Sequence, residues 1–411
     1  MTTNHLAPVI RFKGFTDAWE QRKLEKLANF SKGNGYTKKD LKESGDPIIL
    51  YGRLYTQYET TIENTDTFVR RKEKSVISDG NEVIVPASGE TSNDIARASA
   101  VIKPGFILGG DLNIIKPYNQ INPIFLALAI SNGKQQKEMS KRAQGKSVVH
   151  LHNSDLKQIE LLYPKLEEQT KIGNFFKQLD DTIALHQREL DLLKEQKKGF
   201  LQKMFPKKDE VVPEIRFKGF TDAWEQRKLG EVADLITKGT TPKDKSWSGP
   251  VNYIKTESIN PESGKISVKA KTSIEEHEGY LKRSQLKEND ILFSIVGTLG
   301  RVGVVTCSDL PANTNQQIAI IRLSNCDVNF VFYYLKTSAI ASFILSDSTV
   351  GAQPSLSLWQ VNDIGLKFPS PSEQTKIGNF FKQLDDTIAL HQCELEKLQE
   401  MKKAFLQKMF V

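Results

Sequence analysis

The chain has 411 residues, of which 38% are hydrophobic and 26% are charged, and its net charge is +7. This length and composition predict two or three soluble domains and exclude a fibrous or disordered protein. The longest apolar run, residues 124–130, is far shorter than the roughly 20 residues of a membrane span, and residues 1–10 show no secretory signal. Because the three cysteines are scattered, we expect a reduced, cytoplasmic protein with no membrane partner.

An internal repeat organises the sequence. Residues 10–24 and 215–229 share the same fifteen letters, IRFKGFTDAWEQRKL, and residues 168–187 recur unchanged at 373–392. Each pair is offset by 205 positions, so a short block, a variable region and a long block follow one another twice. A tandem duplication of this kind predicts two copies of one fold, related by an internal pseudo-twofold axis.

The two variable regions, residues 25–167 and 230–372, are equally long and differ at most positions. Each is long enough to bury its own core. Short β-like runs alternate with turn residues, which predicts a mixed α/β domain in each copy. Trp19 and Trp224, in the short blocks, are expected to pack in cores or against a partner. The predicted strands are residues 47–51, 82–86, 290–296 and 317–323, and the predicted helices are residues 123–139 and 330–344.

The long block carries a heptad pattern. With Ile172 as position a, eight of the ten a and d positions in each copy are apolar, and no proline interrupts residues 168–205. This predicts two helices of about 38 residues, about 57 Å long, that pair antiparallel through a coiled-coil seam. His186 and His391, at a positions, are interpreted as polar breaks that set the register. The apolar seam residues are Ile172, Phe176, Leu179, Ile183, Leu190 and Leu193 in the first copy and Ile377, Phe381, Leu384, Ile388, Leu395 and Leu398 in the second.

These patterns divide the chain into four predicted segments. They are a short block with the first α/β domain (1–167), the first long helix with its linker (168–214), the repeated short block with the second α/β domain (215–372) and the second long helix (373–411).

Familiar catalytic motifs are incomplete in this sequence. Residues 145–147 read Gly-Lys-Ser, like the end of a phosphate-binding loop, but Ser140 stands where that loop needs its first glycine. Residues 122–125, Asn-Pro-Ile-Phe, lack the second proline of an amino-methyltransferase site. Residues 195–197, Glu-Gln-Lys, resemble the Glu-x-Lys end of a nuclease active-site motif, but the acidic residue that should precede it is missing. The sequence therefore favours a protein that is not an enzyme and that holds no metal or cofactor.

The layout of the whole chain resembles the specificity (S) subunit of type I restriction–modification systems. The most specific marks are the blocks that end the variable regions, residues 163–172 and 369–377. Similar motifs within the variable regions are residues 51–55, 109–113, 237–242, 294–300, 313–317 and 351–356.

The resemblance implies two target-recognition domains held apart by an antiparallel helical spacer, which together read an asymmetric bipartite target in double-stranded DNA. It also implies assembly with two modification subunits, which carry S-adenosylmethionine and methylate adenine. Restriction subunits, which use ATP and Mg, would join to translocate and cleave DNA. The chain itself would bind no cofactor.

Candidate base-reading residues are polar or aromatic and lie in loops of the variable regions, because such side chains hydrogen-bond base edges. The first variable region has a net charge of +3 and the second is neutral. Any contacts with DNA must therefore be made by individual side chains and not by a strongly basic segment. For each candidate, a solvated loop residue or a phosphate contact is the alternative. The candidates are Arg53, Tyr55, Ser88, Arg97, Lys146 and Ser147 in the first region and Lys238, Thr240, Thr298, Gln316, Gln317, Gln353 and Ser355 in the second.

Two other classes of function remain open at this point. A stand-alone DNA-modifying enzyme with a divergent site would methylate or cut DNA without partners. A coiled-coil scaffold without a DNA role would show no salt-dependent binding to DNA.

Overall fold

The structure is a computed structural model that describes residues 7–145, 148–207, 209–349, 351 and 353–410. These residues form two compact units. The first unit takes the chain up to Arg188 and again from Cys393 onward, and the second unit is Glu189–Gln392. Both limits fall inside the two long helices, so each unit contains a part of each helix.

The first unit is built on mixed β-sheets. Its strands are β1 (Glu20–Lys23), β2 (Ala28–Lys32), β3 (Leu41–Lys42), β4 (Asp46–Ile49), β5 (Thr61–Ile62), β6 (Phe68–Val69), β7 (Ile77–Asp79), β8 (Glu82–Pro86), β9 (Ser88–Gly89), β10 (Ser99–Val101), β11 (Pro104–Leu108), β12 (Leu112–Pro117), β13 (Val149–His150) and β14 (Glu160–Tyr163). Two five-stranded sheets have the orders β2-β12-β8-β10-β5 and β3-β6-β4-β11-β7. The pairs β5–β10 and β4–β11 are parallel. Strand β1, from the short block, pairs antiparallel with β14, just before the long helix.

The helices of the first unit surround these sheets. They are α1 (Arg53–Thr56), α2 (Ser92–Ile95), α3 (Pro123–Ser131), α4 (Gly133–Arg142), α5 (Asn153–Lys157) and α6 (Leu166–Lys203), the last of which continues into the second unit. The single helix predicted at 123–139 is in fact two helices, α3 and α4. Asn132 is extended (φ −138°) and Gly133 has a φ of +67°, so the helical path breaks between them.

The second unit repeats the plan with fewer strands. Its strands are β15 (Glu225–Lys228), β16 (Ala233–Lys238), β17 (Val251–Ile254), β18 (Ala270–Thr272), β19 (Ile291–Ser294), β20 (Val302–Val304), β21 (Ala312–Thr314), β22 (Ile318–Leu323) and β23 (Gly365–Phe368). The sheet orders are β16-β22-β19-β20, β18-β17-β21 and β15-β23. Its helices are α7 (Ile274–Glu278), α8 (Val328–Tyr334), α9 (Ser338–Asp347), α10 (Leu358–Asn362) and α11 (Pro371–Met409). The predicted helix 330–344 is likewise divided, into α8 and α9.

Each unit has a core that contains the tryptophan of its short block. Trp19 and Trp224 are both 3% exposed. The Trp19 ring contacts Phe125 edge-on with centroids 5.8 Å apart, and Trp224 contacts Phe330 in the same way at 5.7 Å. The prediction that the tryptophans pack in cores is therefore confirmed.

The first turns of each long helix lie directly against the α/β domain. The amide oxygen of Gln169 accepts a hydrogen bond from the backbone of Asn122 at 2.9 Å, and its amide nitrogen donates to the Pro164 carbonyl at 2.8 Å. In the second unit, Gln374 makes the matching bonds to Asp327 and Pro369. The identical long blocks therefore perform the same docking task twice.

The two long helices pack along the predicted seam in each unit. In the first unit, the Phe175 and Phe405 rings meet edge-on at 5.2 Å, which pairs the start of α6 with the end of α11. In the second unit, Phe200 and Phe380 meet at 5.1 Å, which pairs the end of α6 with the start of α11. All the named seam residues are buried or half-buried. Two mixed α/β domains joined by paired antiparallel helices were predicted, and this fold is confirmed.

No single helix in the described part of the chain is long and apolar enough to cross a membrane. Helices α8 and α9, bent by 60° at their junction, pass the same test of length and composition only as a pair.

Candidate nucleic-acid interface

A cleft in the first unit collects two of the predicted base-reading residues, Arg53 and Tyr55. It has a volume of about 710 Å³ and is bordered by residues 35–38, helix α1 and Asp111. Burial, with the neighbouring Tyr51, raises the pKa of Tyr55 to about 12. The Tyr55 hydroxyl therefore stays protonated at neutral pH and can both donate and accept a hydrogen bond.

The charge of Arg53 is already neutralised within the protein. Its guanidinium donates to Glu59 at 2.8 Å and to Asp66 at 2.9 Å, and its side chain is only 15% exposed. A direct contact between Arg53 and a base would therefore compete with two ion pairs. In this structure Arg53 forms part of the wall of the cleft.

The other candidates in the first variable region lie elsewhere. Ser88 is 7% exposed and belongs to β9, which pairs with β13. The guanidinium of Arg97 lies 5.7 Å from the centre of the Tyr58 ring. Neither residue lines the cleft beside Tyr55. Lys146 and Ser147 fall outside the described residues.

A second cleft, in the second unit, collects Gln316 and Gln317. It has a volume of about 300 Å³. Gln316 is exposed, and its amide oxygen accepts a hydrogen bond from the Thr241 hydroxyl at 3.2 Å. Gln317 is half-buried, and its amide oxygen accepts from Asn315 at 3.1 Å. Gln316 is therefore the more accessible of the two amides.

Sequence reasoning missed an aromatic and basic pair in the second cleft. The Lys255 ammonium lies 3.6 Å from the centre of the Trp247 ring, and both residues line the cleft. Trp247 has a φ of +55°, a left-handed conformation that is strained for a large side chain. The signal available was a lone tryptophan in a polar stretch, Lys-Asp-Lys-Ser-Trp-Ser-Gly, but its partner Lys255 lies eight residues further on.

Three other candidates of the second unit, Thr298, Gln353 and Ser355, form a separate group around one loop. The backbone of Gly297 donates to the carbonyl of Pro354 at 2.9 Å, so the loop that carries Thr298 lies beside Gln353 and Ser355. Thr298 and Gln353 are exposed, whereas Ser355 is half-buried and contacts Thr349.

Lys238 and Thr240 stand at the end of strand β16. Lys238 is exposed. The hydroxyl of Thr240 accepts a weak hydrogen bond from Arg283 at 3.4 Å, and its carbonyl accepts one from Tyr253 at 3.0 Å. These contacts fix Thr240 beside the cleft residue Tyr253.

Asn122, from the incomplete methyltransferase motif, has a structural role. Its side-chain oxygen accepts hydrogen bonds from the backbone of Ile124 and Phe125, both at 3.0 Å. These bonds cap helix α3, with Pro123 at its first position. The motif therefore marks the start of a buried helix.

Comparisons with known proteins agree with this architecture. Residues 16–195 and 221–400 match the family described as the type I restriction modification DNA specificity domain. The chain is similar to the specificity subunit of the type I restriction enzyme MjaVIII from Methanocaldococcus jannaschii, with 22% identity over 82% of this chain and 80% of the relative.

The similarity extends to solved structures. The S subunit of a type I restriction–modification system from M. genitalium superposes with a TM-score of 0.63 and 17% identity, and covers 98% of this chain and 99% of its own. A chain from a structural study of complex assembly and conformational transition in the type I system gives a TM-score of 0.52 and 15% identity over 95% of this chain and 97% of its own.

Two mixed α/β domains on a paired-helix frame are the architecture of a DNA specificity protein. The chain belongs to the type I restriction–modification specificity-subunit family, as the sequence predicted. It is the non-catalytic DNA specificity component of such a system. The alternatives of a stand-alone enzyme and of a scaffold without a DNA role are therefore wrong.

Proposed function

We propose that this chain reads an asymmetric bipartite target in double-stranded DNA, with one half of the target recognised by each unit. The observation that carries this proposal is the contrast between repeated and variable parts. Each unit docks the start of its own long helix in the same way, through Gln169 in one and Gln374 in the other, yet the two clefts present different side chains. Different side chains in the two clefts favour different bases, and hence an asymmetric target.

The predicted four segments then have separate tasks. Residues 25–167 and 230–372 supply the side chains that read DNA, while the identical blocks around them offer similar surfaces to two modification subunits. The similar chain with a TM-score of 0.52 comes from work on the assembly of a type I complex, which supports such an association. Restriction subunits would join the same assembly in the cytoplasm. S-adenosylmethionine, ATP and Mg would be held by the partners and not by this chain.

A domain exchange tests the proposal. Replacing residues 25–167 with the first variable region of another family member should change one half of the methylated target and leave the other half intact. Replacing residues 230–372 is the matched experiment and should change the opposite half. Mapping methylated adenines in cells that carry each chimaera with its modification subunits gives the readout. A change in both halves after a single exchange would contradict independent reading by the two units.

A further inference from the structure

The loop that joins strands β6 and β7 concentrates the positive charge of the first variable region. Residues 70–74 read Arg-Arg-Lys-Glu-Lys, with four basic residues and one acidic residue. The rest of residues 25–167 contains 16 basic and 16 acidic residues, so the whole net charge of +3 belongs to this loop. All five residues are exposed. Sequence reasoning did not single out this loop.

Three of these cations have no acidic partner among the described residues. Arg70, Arg71 and Lys74 form none of the ion pairs found there, whereas Arg53 pairs with two carboxylates and Arg142 with Glu138. The remaining arginine of the variable region, Arg97, stacks on Tyr58. The loop therefore keeps its charge available for a partner, while the other arginines of the region satisfy contacts inside the protein.

The fourth cation of the loop, Lys72, anchors it to the protein. Its ammonium donates to Asp40 at 2.7 Å and to the Gly35 carbonyl at 3.0 Å, and it lies 4.4 Å from the centre of the Tyr36 ring. Lys72 and the backbone of Thr37 lower the pKa of Asp40 to about 2. The carboxylate therefore stays charged at any physiological pH.

Further hydrogen bonds hold the backbone of the loop. The Tyr36 hydroxyl accepts from the backbone of Lys72 at 2.7 Å and lies 2.5 Å from the Ser75 hydroxyl. The Asn34 side chain donates to the Lys74 carbonyl at 2.9 Å. A loop that is already ordered loses less conformational entropy when it binds a partner.

The segment that anchors the loop also forms a wall of the first cleft. Residues 35–38 line that cleft together with Tyr55. The free cations therefore belong to a loop that is bonded to one wall of the candidate base-reading site. In DNA complexes, phosphate contacts fix the position of the protein while base contacts determine the sequence, and the two kinds of contact lie side by side.

We propose that Arg70, Arg71 and Lys74 bind phosphates of the DNA backbone beside the half of the target that the first unit reads. This inference rests on the proposed function. The three side chains supply affinity that does not depend on sequence, and they position the cleft over its base pairs. The second variable region is neutral as a whole, so it has no net positive charge of the kind that the loop gives to the first region.

The test uses the chain assembled with its modification subunits and a triple variant, Arg70→Gln, Arg71→Gln and Lys74→Gln. Two duplexes of equal length serve as probes, one with the target found by mapping methylated adenines and one without it. Binding is measured between 50 and 200 mM salt. Loss of three phosphate contacts should reduce the slope of log K against log salt by about 2.7. Over that range, the wild-type complex should weaken about 40-fold more than the variant.

A control variant removes the same charge elsewhere in the first unit. Lys134, Lys137 and Lys141 are exposed on α4, and their replacement by glutamine should leave the salt slope unchanged. The ratio of target to non-target affinity should stay within about twofold of wild type in both variants. Thermal unfolding verifies that each variant is folded.

Several results would overturn the inference. These are an unchanged slope in the loop variant, an equal reduction in the α4 variant, or a changed preference for the target. Loss of the modification subunits from the loop variant on gel filtration would instead assign the loop to a protein partner. A wild-type complex without salt-dependent DNA binding would overturn the proposed function as well, which distinguishes the two failures.

Discussion

The Arg11 guanidinium donates two hydrogen bonds to the carboxylate of Glu168, at 2.9 and 2.7 Å. Arg216 and Glu373, one repeat later in the chain, form the same pair at 2.7 and 2.8 Å. Each pair joins the short block to the first turn of the long helix, and Glu168 and Glu373 are only 1% and 0% exposed. In each copy, this buried ion pair therefore holds together the short block and the long block, which are far apart in the sequence.

Breaking this ion pair should lower the unfolding free energy substantially. The change Arg11→Met leaves the buried Glu168 carboxylate without its cation, and the expected loss of unfolding free energy is about 3–5 kcal/mol. Arg22, whose pair with Glu20 is solvent-exposed, provides the control: Arg22→Met should cost less than about 1 kcal/mol. Urea unfolding followed by circular dichroism measures both. Equal losses would show that the buried pair has no special role.

The glycines of the long helices provide a second comparison. A Cβ atom on Gly378 would lie 2.5 Å from the Asp327 carboxylate and 3.0 Å from the backbone nitrogen of Phe330, so Gly378→Ala should separate α11 from α8. We expect a loss of about 1–3 kcal/mol in unfolding free energy. Gly199 in α6 has no atom within 4 Å of such a Cβ, so Gly199→Ala should stabilise by about 0.5–1 kcal/mol. Chemical unfolding measures both free energies. A change of the same sign in the two variants would contradict this account.

The half-buried Lys336 should make the stability of the second unit depend on pH. Burial, assisted by the charge of Lys197, lowers the pKa of Lys336 to about 8 from its usual 10.5. Above pH 8 the native state releases a proton that the unfolded chain still holds, so the unfolding free energy rises with pH between about 8 and 10.5. Below pH 8 Lys336 is charged in the native state, and the full free-energy cost of burying that charge remains.

Replacing this lysine tests the argument. Lys336→Met should raise the unfolding free energy at pH 7 and reduce its increase with pH. The control Lys382→Met, at an exposed position on α11, should keep the pH dependence of the wild type. Urea unfolding from pH 7 to about 9.5 is the measurement. Burial raises the pKa of Tyr333, which acts in the opposite direction only at higher pH. A wild-type slope in Lys336→Met would refute the assignment.

The exposed amide of Gln316 should contribute to reading one base pair. Gln316→Ala is expected to reduce discrimination at a single position of one half of the target by about 1–3 kcal/mol, with the other half unchanged. The control is Gln383→Ala, an exposed amide on α11. Binding of the assembled complex to duplexes with single base changes measures the effect. Loss of affinity for every duplex alike would make Gln316 a backbone contact.

Periodicity in the sequence was sufficient to predict the helices and strands whose structure depends on a local pattern. The heptads predicted a helix at residues 168–205, and α6 spans Leu166–Lys203, because a long uninterrupted apolar stripe has no competing local conformation. The run predicted at 82–86 coincides with strand β8, and all five of its residues are buried. At residues 123–139 the prediction missed the break between α3 and α4, because the almost entirely apolar sequence of α3 does not indicate where the chain leaves the helix at Asn132.

The sequence by itself determined the duplication, the paired helices, the family and the absence of complete catalytic motifs, since each of these is written in spacing and repetition along the chain. Tertiary structure alone decided which polar side chains are available to a partner. Arg53 is paired with Glu59 and Asp66, and Ser88 is buried, while Arg70 and Arg71 are exposed and form none of the ion pairs among the described residues. The availability of a side chain depends on the folded path of the loops around it, which brings together charges that no local pattern relates.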